Sequence, residues 1–273
     1  MAILQTIPYM YANLNYKDLE EIVKNGKLVL LLPFGSTDPH GPHCPLSVDA
    51  IIATESCLRA AQKLQAMGYD AYVLPTLSYD FTWATRKFLG TIRISQETDR
   101  RLITDILLCL VEQGITKICV FNAQYQPEHI SNIYAAIKEV YEKTGVALAF
   151  TDITRRRFSS RMPESFQKGT HADKWEGSLI LAVDPFLVNL ERMKKLPNLP
   201  VNLTEKLFKE HLDEFKAMGM TEAYLGEPAA ATAEEGEELF NQLSDFIIED
   251  VEKLFLGTAE LPKGGLYGRE KKS

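Results

Sequence analysis

The stretch LVLLLPFGSTDPHGPHCPLSVDA, residues 28–50, joins a run of aliphatic side chains to a loop dense in aspartate, histidine, proline and glycine. The apolar run 28–33 predicts a strand buried on both faces of a parallel sheet. From Val48 onward, small and apolar side chains recur on one stripe, which predicts a helix that ends near Met67. A strand, a polar connection and a helix in this order form the repeating unit of an α/β fold.

The same unit recurs further along the chain. Apolar runs predict three more buried strands, at 71–75, 117–121 and 146–150. Periodic stretches predict two more long helices, at 96–113 and about 128–144. Right-handed crossovers between such units give a largely parallel sheet flanked by helices. Ligands of open parallel sheets bind beyond the carboxyl ends of the strands. We therefore expect the loops after the first and third strands to line one crevice.

The composition is that of a globular protein, with 273 residues of which 45% are hydrophobic and 25% charged. No linker or low-complexity run divides the chain, which favours a single domain over residues 1–273. The formal net charge of −7 offers no basic face, so nucleic acid is not an expected partner. No apolar run approaches the roughly 20 residues that a membrane-spanning helix needs. We therefore expect no membrane partner and a cytoplasmic location.

The polar loop after the first strand contains side chains of the kind that bind metal ions. Carboxylate oxygen and imidazole nitrogen together suit zinc, manganese or iron(II), and Asp38, His40 and Asp49 supply both. A carboxylate with two oxygens can also bridge two ions. An equally compatible interpretation is a solvated loop in which the aspartates stabilise turns between prolines.

A second polar stretch, THADKWEGS, spans residues 170–178 and precedes an apolar run. It contains His171 and Glu176. Glu176 lies near a predicted helix start, where the helix dipole alone favours a carboxylate. Taken singly, this stretch does not identify a site.

Taken together, the polar stretches resemble the signatures of the creatininase (creatinine amidohydrolase) family. The first signature, roughly G-S-x-E-x-H-G-x-H-L-P-x-x-x-D, matches GSTDPHGPHCPLSVD (35–49), with Asp38 in place of the usual glutamate. Later family patterns match FLGTI (88–92), HADKWEGS (171–178) and GEPAAATAEEG (226–236). The resemblance covers about residues 17–255, which is nearly the whole chain.

The resemblance implies a metal-dependent amidohydrolase that cleaves a C–N bond of a small cyclic or linear amide by metal-activated water. It implies one or two divalent ions per chain, of zinc, manganese or iron, and a homo-oligomer, often a hexamer. The implied metal ligands are Asp38, His40, Asp49 and Glu176. His171 would pass a proton to the leaving nitrogen, a task suited to a group that titrates near neutrality, and Glu176 would share the catalytic role.

The chain departs from the family after the third strand. Where the family has N-G-H-G-G-N or N-G-H-Y-E-N, this sequence has NAQYQP at residues 122–127. The ligand histidine becomes Gln124, a weak metal ligand, and the glutamate becomes Gln126. One of two metal positions is expected to be altered. Glu128 and His129 are alternative ligands, although in the first turn of a helix they are expected at the surface.

Several side chains are expected to form a pocket for a small-molecule substrate. Tyr125, Gln126, Trp83 and Trp175 offer flat rings and an amide, although aromatic residues in loops are also common as half-buried packing. Two other functions stay open. The chain is then either a non-catalytic ligand-binding member of the family with a degenerate metal site, or a family enzyme with a different metal-assisted reaction.

Overall fold

The computed structural model describes residues 8–259, and within this range a four-stranded sheet forms the centre of the molecule. Its strands are β1 (Leu28–Phe34), β2 (Asp70–Val73), β3 (Ile118–Asn122) and β4 (Ala149–Thr151). All neighbours pair in parallel, in the order β2-β1-β3-β4. The predicted class, a largely parallel sheet flanked by helices, is confirmed.

Helices pack on both faces of this sheet. The helices of residues 8–259 are α1 (Tyr16–Lys24), α2 (Val48–Ala66), α3 (Gln96–Glu112), α4 (Pro127–Thr144), α5 (Arg156–Ser159), α6 (Glu164–Gln167), α7 (Lys174–Val183), α8 (Leu190–Met193), α9 (Leu203–Phe208) and α10 (Ala233–Leu256). The predicted cap of α3 is present, because the Ser95 side chain accepts from the Thr98 backbone nitrogen. None of these helices is both long and apolar enough to cross a bilayer.

Alternation along β1 divides the core into two layers. Val29 and Leu31 pack into a cluster with α2, α7 and α10, whereas Leu30 and Leu32 pack into a cluster with α3 and α4. Successive side chains of a strand point to opposite faces, so a strand covered by helices on both sides must be apolar throughout. The sequence of β1 therefore reflects its central position in the sheet.

The outer strands differ from the prediction. β2 is an edge strand with alternating burial, and it is not buried on both faces as predicted. β4 begins at Ala149 and is shorter than the predicted run 146–150. The short helices between residues 156 and 208 were not predicted, because helices of four to six residues depend on tertiary contacts more than on sequence periodicity.

α7 and α10 cross in close contact at Gly236. A Cβ atom added at Gly236 would lie 2.0 Å from the backbone oxygen of Ser178 and 2.8 Å from the Cβ atom of Ala182. The backbone of Ser178 cannot move away from such an atom as the end of a flexible side chain could. The glycine therefore sets how closely α10 approaches α7, the helix that carries Glu176.

We expect Gly236→Ala to destabilise the protein by about 1–3 kcal/mol, the range typical of overpacked cores. The matched control is Glu238→Ala on the exposed side of the same helix, which should change stability by less than about 0.5 kcal/mol. Urea unfolding of both variants measures the difference. An unaltered unfolding midpoint in Gly236→Ala would contradict the close contact.

Candidate active site

The loops that follow β1 and β3 meet at the carboxyl edge of the sheet. These two strands are neighbours, and Phe34 pairs in register with Asn122. Beyond the strands, the Gln124 Nε2 atom donates to the Ser36 hydroxyl over 3.0 Å. Both loops line the same small cavity, as expected for a parallel sheet of this order.

Ser36 joins the two aspartates of the first loop. Its hydroxyl lies within hydrogen-bond distance of Asp38 Oδ1 and lies 2.8 Å from Asp49 Oδ2. A serine hydroxyl has a single proton, and its oxygen already accepts from Gln124. Both contacts are therefore satisfied together only when one of the two carboxyl groups carries a proton. Asp49 itself lies in the first turn of α2.

His40 lies at the centre of the buried acidic groups. Its Nε2 atom is 3.1 Å from Asp49 Oδ1 and 3.6 Å from Glu176 Oε2, and its Nδ1 atom is 3.0 Å from the carbonyl oxygen of Asp38. A carbonyl oxygen only accepts, so Nδ1 carries the proton and Nε2 is the atom that faces the two carboxylates. The side chain is 1% exposed.

Glu176 is positioned by the start of α7. The Asp173 side chain caps this helix by accepting from the backbone nitrogens of Trp175 and Glu176. Glu176 reaches back to accept from the backbone nitrogen of Ala172 over 2.5 Å. Ala172 has a φ of 48°, in the left-handed region that non-glycine residues rarely adopt. The turn that aims Glu176 is therefore strained, and strain of this kind occurs at functional sites.

Burial dominates the electrostatics of the acidic groups. It raises the pKa of Glu176 to about 8 and that of Asp38 to about 6, although His40 lowers both. Burial alone would lower the pKa of His40, but Asp49 and Asp38 raise it above its usual value. Three buried carboxyl groups thus share one pairing imidazole, and protons or a bound cation must neutralise the rest of their charge. A divalent cation would complete the cluster.

His171 lies across the cluster from Glu176. Its ring centroid is 4.3 Å from that of His40, and its Nε2 atom is 2.9 Å from the carbonyl oxygen of Pro39. Burial and the neighbouring His40 lower the pKa of His171 well below its usual value. This differs from the expected titration near neutrality, because the loop places the ring in the interior and beside a second imidazole.

Two groups of three side chains have donor atoms close enough to hold a metal ion. One contains His40, Asp49 and Glu176, and the other contains Asp38, His40 and His171. Within each group the donor atoms lie within 4.8 Å of one another. Imidazole nitrogen with carboxylate oxygen is the donor set of zinc, manganese and iron sites. The donors and the surplus of buried carboxyl groups over imidazole partners therefore fit at least one divalent ion.

The glutamines of the NAQYQP loop line the cavity but use their amides in hydrogen bonds. Gln124 Nε2 donates to Ser36 and, over 3.3 Å, to Thr82, while its Oε1 accepts from the backbone nitrogen of Gln126. The Oε1 atom of Gln126 accepts from the backbone nitrogens of Trp83 and Ala84. Tyr125 also lines the cavity.

The two tryptophans lie elsewhere than expected. Trp175 is 2% exposed and belongs to the core beneath α7, where it packs against Phe166. Trp83 stacks on Phe81 and donates from Nε1 to Asp213. Neither ring lines the cavity beside the acidic cluster. Their roles as pocket walls are corrected to packing, because helix formation at Lys174 turns the indole of Trp175 inward.

The structure contains a second polar cluster that sequence reasoning missed. His129 was expected at the surface, yet it is fully buried, with Nδ1 2.9 Å from Asp99 Oδ2 and Nε2 3.8 Å from Asp80 Oδ2. Asp80 accepts from Thr82, which accepts in turn from Gln124. The first turn of α4 is covered by α3, and no local pattern in the sequence indicates that contact. His129 is therefore no substitute ligand for the cluster around His40.

Comparisons with known proteins agree with this fold. A family model described as "Creatininase: Creatinine amidohydrolase" matches residues 12–251. Creatinine amidohydrolase of Pseudomonas putida is 28% identical over 200 residues, which cover 67% of this chain and 75% of that protein. Mycofactocin precursor peptide peptidase of Mycobacterium tuberculosis is 26% identical over 230 residues, which cover 81% and 84%.

A solved structure of creatininase superposes on this chain with a TM-score of 0.73 and 22% identity, over 90% of this chain and 98% of the other. Related creatininase structures include a Zn–Zn form, a Mn form and a complex with creatine. The fold is therefore that of the metal-dependent creatininases.

The match over residues 12–251 shows that the chain belongs to the creatininase family. Its relatives are named amidohydrolases and peptidases, which defines the class as hydrolases that act on C–N bonds. The domain limits predicted from the sequence, with a core at about 17–255, stay a prediction.

The Asp99–His129 contact supplies a test of the second cluster. Asp99→Ala removes the acceptor of both His129 Nδ1 and Asn132 Nδ2 in the interior. We expect a loss of about 3 kcal/mol in unfolding free energy, because two buried donors lose an acceptor and His129 keeps only the longer contact with Asp80. The control is Asp105→Ala, an exposed residue of α3, with an expected change below about 0.5 kcal/mol. Equal unfolding midpoints in urea for the two variants would contradict a structural role for the cluster.

Proposed function

We propose that the protein is a metal-dependent amidohydrolase whose divalent ion is held by His40, Asp49 and Glu176, with Asp38 beside them. The observation that carries this proposal is the buried group of imidazole and carboxylate donors, all within 4.8 Å, at the edge of a cavity. The metal forms of the structural neighbours and the C–N hydrolases among the relatives support it. The substrate is a small molecule with an amide bond.

A divalent ion bound there supplies a nucleophilic water near neutral pH and a Lewis acid for the substrate carbonyl. Hydrogen bonds within the protein hold and orient the carboxylates that would bind this ion. The Ala172 backbone nitrogen fixes one oxygen of Glu176, and Ser36 fixes Asp49, so two carboxylates present defined oxygens to the centre. Such outer contacts are known to influence metal affinity by about 10- to 100-fold. Burial of the cluster excludes bulk water from competing for these contacts.

His171 is proposed as the group that carries the proton to the leaving nitrogen. The Pro39 carbonyl can only accept, so His171 Nε2 donates to it and Nδ1 is left without a proton. Nδ1 is therefore the atom that takes up a proton and releases it. The lowered pKa of this imidazole favours its release, because the protonated ring is disfavoured in the interior beside His40.

Gln124 distinguishes this chain from the family pattern, and we propose that it leaves the second metal position weaker. Its amide nitrogen donates to Ser36 and Thr82, and its amide oxygen accepts from Gln126. The amide oxygen accepts one hydrogen bond and keeps a second lone pair, but it is neutral and a weaker ligand for zinc-like ions than imidazole nitrogen. Homo-oligomeric assembly, with hexamers as in the family, and a cytoplasmic location stay predictions.

Metal content tests the proposal directly. We expect protein purified without chelator to contain at least one divalent ion per chain, and Asp49→Asn to lose it, because Asp49 contacts both His40 and Ser36. Elemental analysis measures the ion, and amide hydrolysis with added Mn, Zn or Fe(II) should fall by about 100-fold or more in the variant. Asp105→Asn, with a melting curve for each variant, is the control. Undiminished metal content in Asp49→Asn contradicts the assignment, and metal without hydrolysis of any amide favours a binding protein.

Restoring imidazole tests the altered position. Gln124→His should raise the metal content towards two ions per chain, because imidazole is a stronger donor than an amide oxygen. The exposed Gln113→His variant should keep the metal content of the original protein. Two tightly bound ions in the unmodified protein would show that Gln124 does not weaken the second position.

A further inference from the structure

A second cavity adjoins the small one beside the acidic cluster. It has a volume of about 330 Å³ and is bounded by α5, α6, α9 and the loop before His171. Four residues line both cavities: Tyr125, Thr170, Leu203 and Leu207. The two cavities therefore adjoin along these four residues. We name the larger one the α9 cavity.

The cavity at the acidic cluster is too small to hold a substrate alone. Its free volume is about 40 Å³, on the scale of one or two water molecules. Ligand sites in proteins usually offer about 300–1,000 Å³, a range that the α9 cavity reaches. A substrate whose amide carbon lies at His171 must therefore place its remaining bulk in the α9 cavity or in solvent.

The α9 cavity has an apolar wall and a cationic edge. Phe166, Leu203 and Leu207 form the apolar wall, and Arg156 contributes from the first position of α5. Two nearby arginines are paired, Arg157 with Asp250 and Arg161 with Glu249. By contrast, the Arg156 guanidinium forms no ion pair or hydrogen bond with any side chain described in residues 8–259. It is exposed and available to an anion.

We propose that the α9 cavity binds an apolar side chain of the substrate and that Arg156 binds its carboxylate, so that the preferred substrates are linear amides of apolar amino acids. This inference rests on the proposed amidohydrolase function and names its substrate class. Arginine suits a carboxylate because its planar guanidinium can donate two parallel hydrogen bonds. A small cyclic amide would leave both the apolar wall and Arg156 without a contact.

Binding of three N-acetyl compounds to the metal-loaded protein tests the inference by calorimetry. N-acetylphenylalanine has the ring and the carboxylate, its primary amide has the ring alone, and N-acetylglycine has the carboxylate alone. We expect the first to bind about tenfold or more tightly than either of the others. Equal affinity of all three compounds overturns the proposal.

Two variants separate the contribution of Arg156 from that of the α9 cavity. Arg156→Gln should weaken binding of N-acetylphenylalanine about tenfold and leave its amide within about twofold. Thr204→Trp, which places an indole in the α9 cavity, should weaken both phenyl compounds about tenfold and leave N-acetylglycine within about twofold. Arg101→Gln on α3 is the control for charge, and melting curves confirm that each variant is folded. An Arg156→Gln variant that binds the acid as tightly as the unmodified protein overturns the role of Arg156.

Hydrolysis is measured separately, with glycylphenylalanine and with small amides that lack a side chain. If the binding pattern is as expected and no amide is cleaved, the subsite stands and the proposed amidohydrolase function fails. If small amides are cleaved and the three compounds bind equally, the proposed function stands and the subsite is overturned.

Discussion

The close contact between Gly35 and the first turn of α2 is the constraint on which the site depends. A Cβ atom added at Gly35 would lie 2.3 Å from the backbone nitrogen of Ala50, so only glycine permits the chain to pass there. That passage brings Ser36 to Asp49, 13 residues away in sequence. Because β1 is buried along its whole length at the centre of the sheet, the loop starts from a rigid position. On a flexible loop the donor atoms would be less precisely placed and would bind an ion less tightly.

This geometry concentrates negative charge where water is scarce. Asp38, Asp49 and Glu176 are each at most 2% exposed, and within residues 8–259 no lysine or arginine forms an ion pair with them. Buried charges must be paired, protonated or bound to a metal ion. His40 pairs with part of this charge, and burial raises the pKa of Glu176, which favours protonation of this carboxyl group. A divalent cation and a proton thus compete for the same carboxylates, which is the usual coupling between metal binding and proton release.

The sequence predicts the centre of this molecule better than its edges. β1 is apolar throughout, and β3 is apolar up to its last residue, Asn122, because helices cover both faces of these strands. That requirement is visible in the residues themselves. The position of His129 in the first turn of its helix indicated a surface residue. In the structure it contacts Asp99, which lies 30 residues earlier and on another helix. The burial of Trp175 could not be predicted from the sequence either, since the direction of its ring depends on how α7 packs. Contacts of this kind are set by tertiary packing, and no local periodicity encodes them.

The neighbours of Gln124 explain why an amide fits its position. The amide donates to Ser36 on one side and to Thr82 on the other, so it connects the acidic cluster to Asp80 through hydrogen bonds. Asp80 Oδ2 in turn lies 3.8 Å from His129 Nε2. An imidazole that ligated a metal would direct its lone pair at the ion and would make at most one such donation. The glutamine therefore exchanges a potential ligand for a link between two buried polar groups. In this chain the cavity beyond β1 and β3 therefore has an acidic cluster on one side and, on the side of Gln124, a wall held by hydrogen bonds.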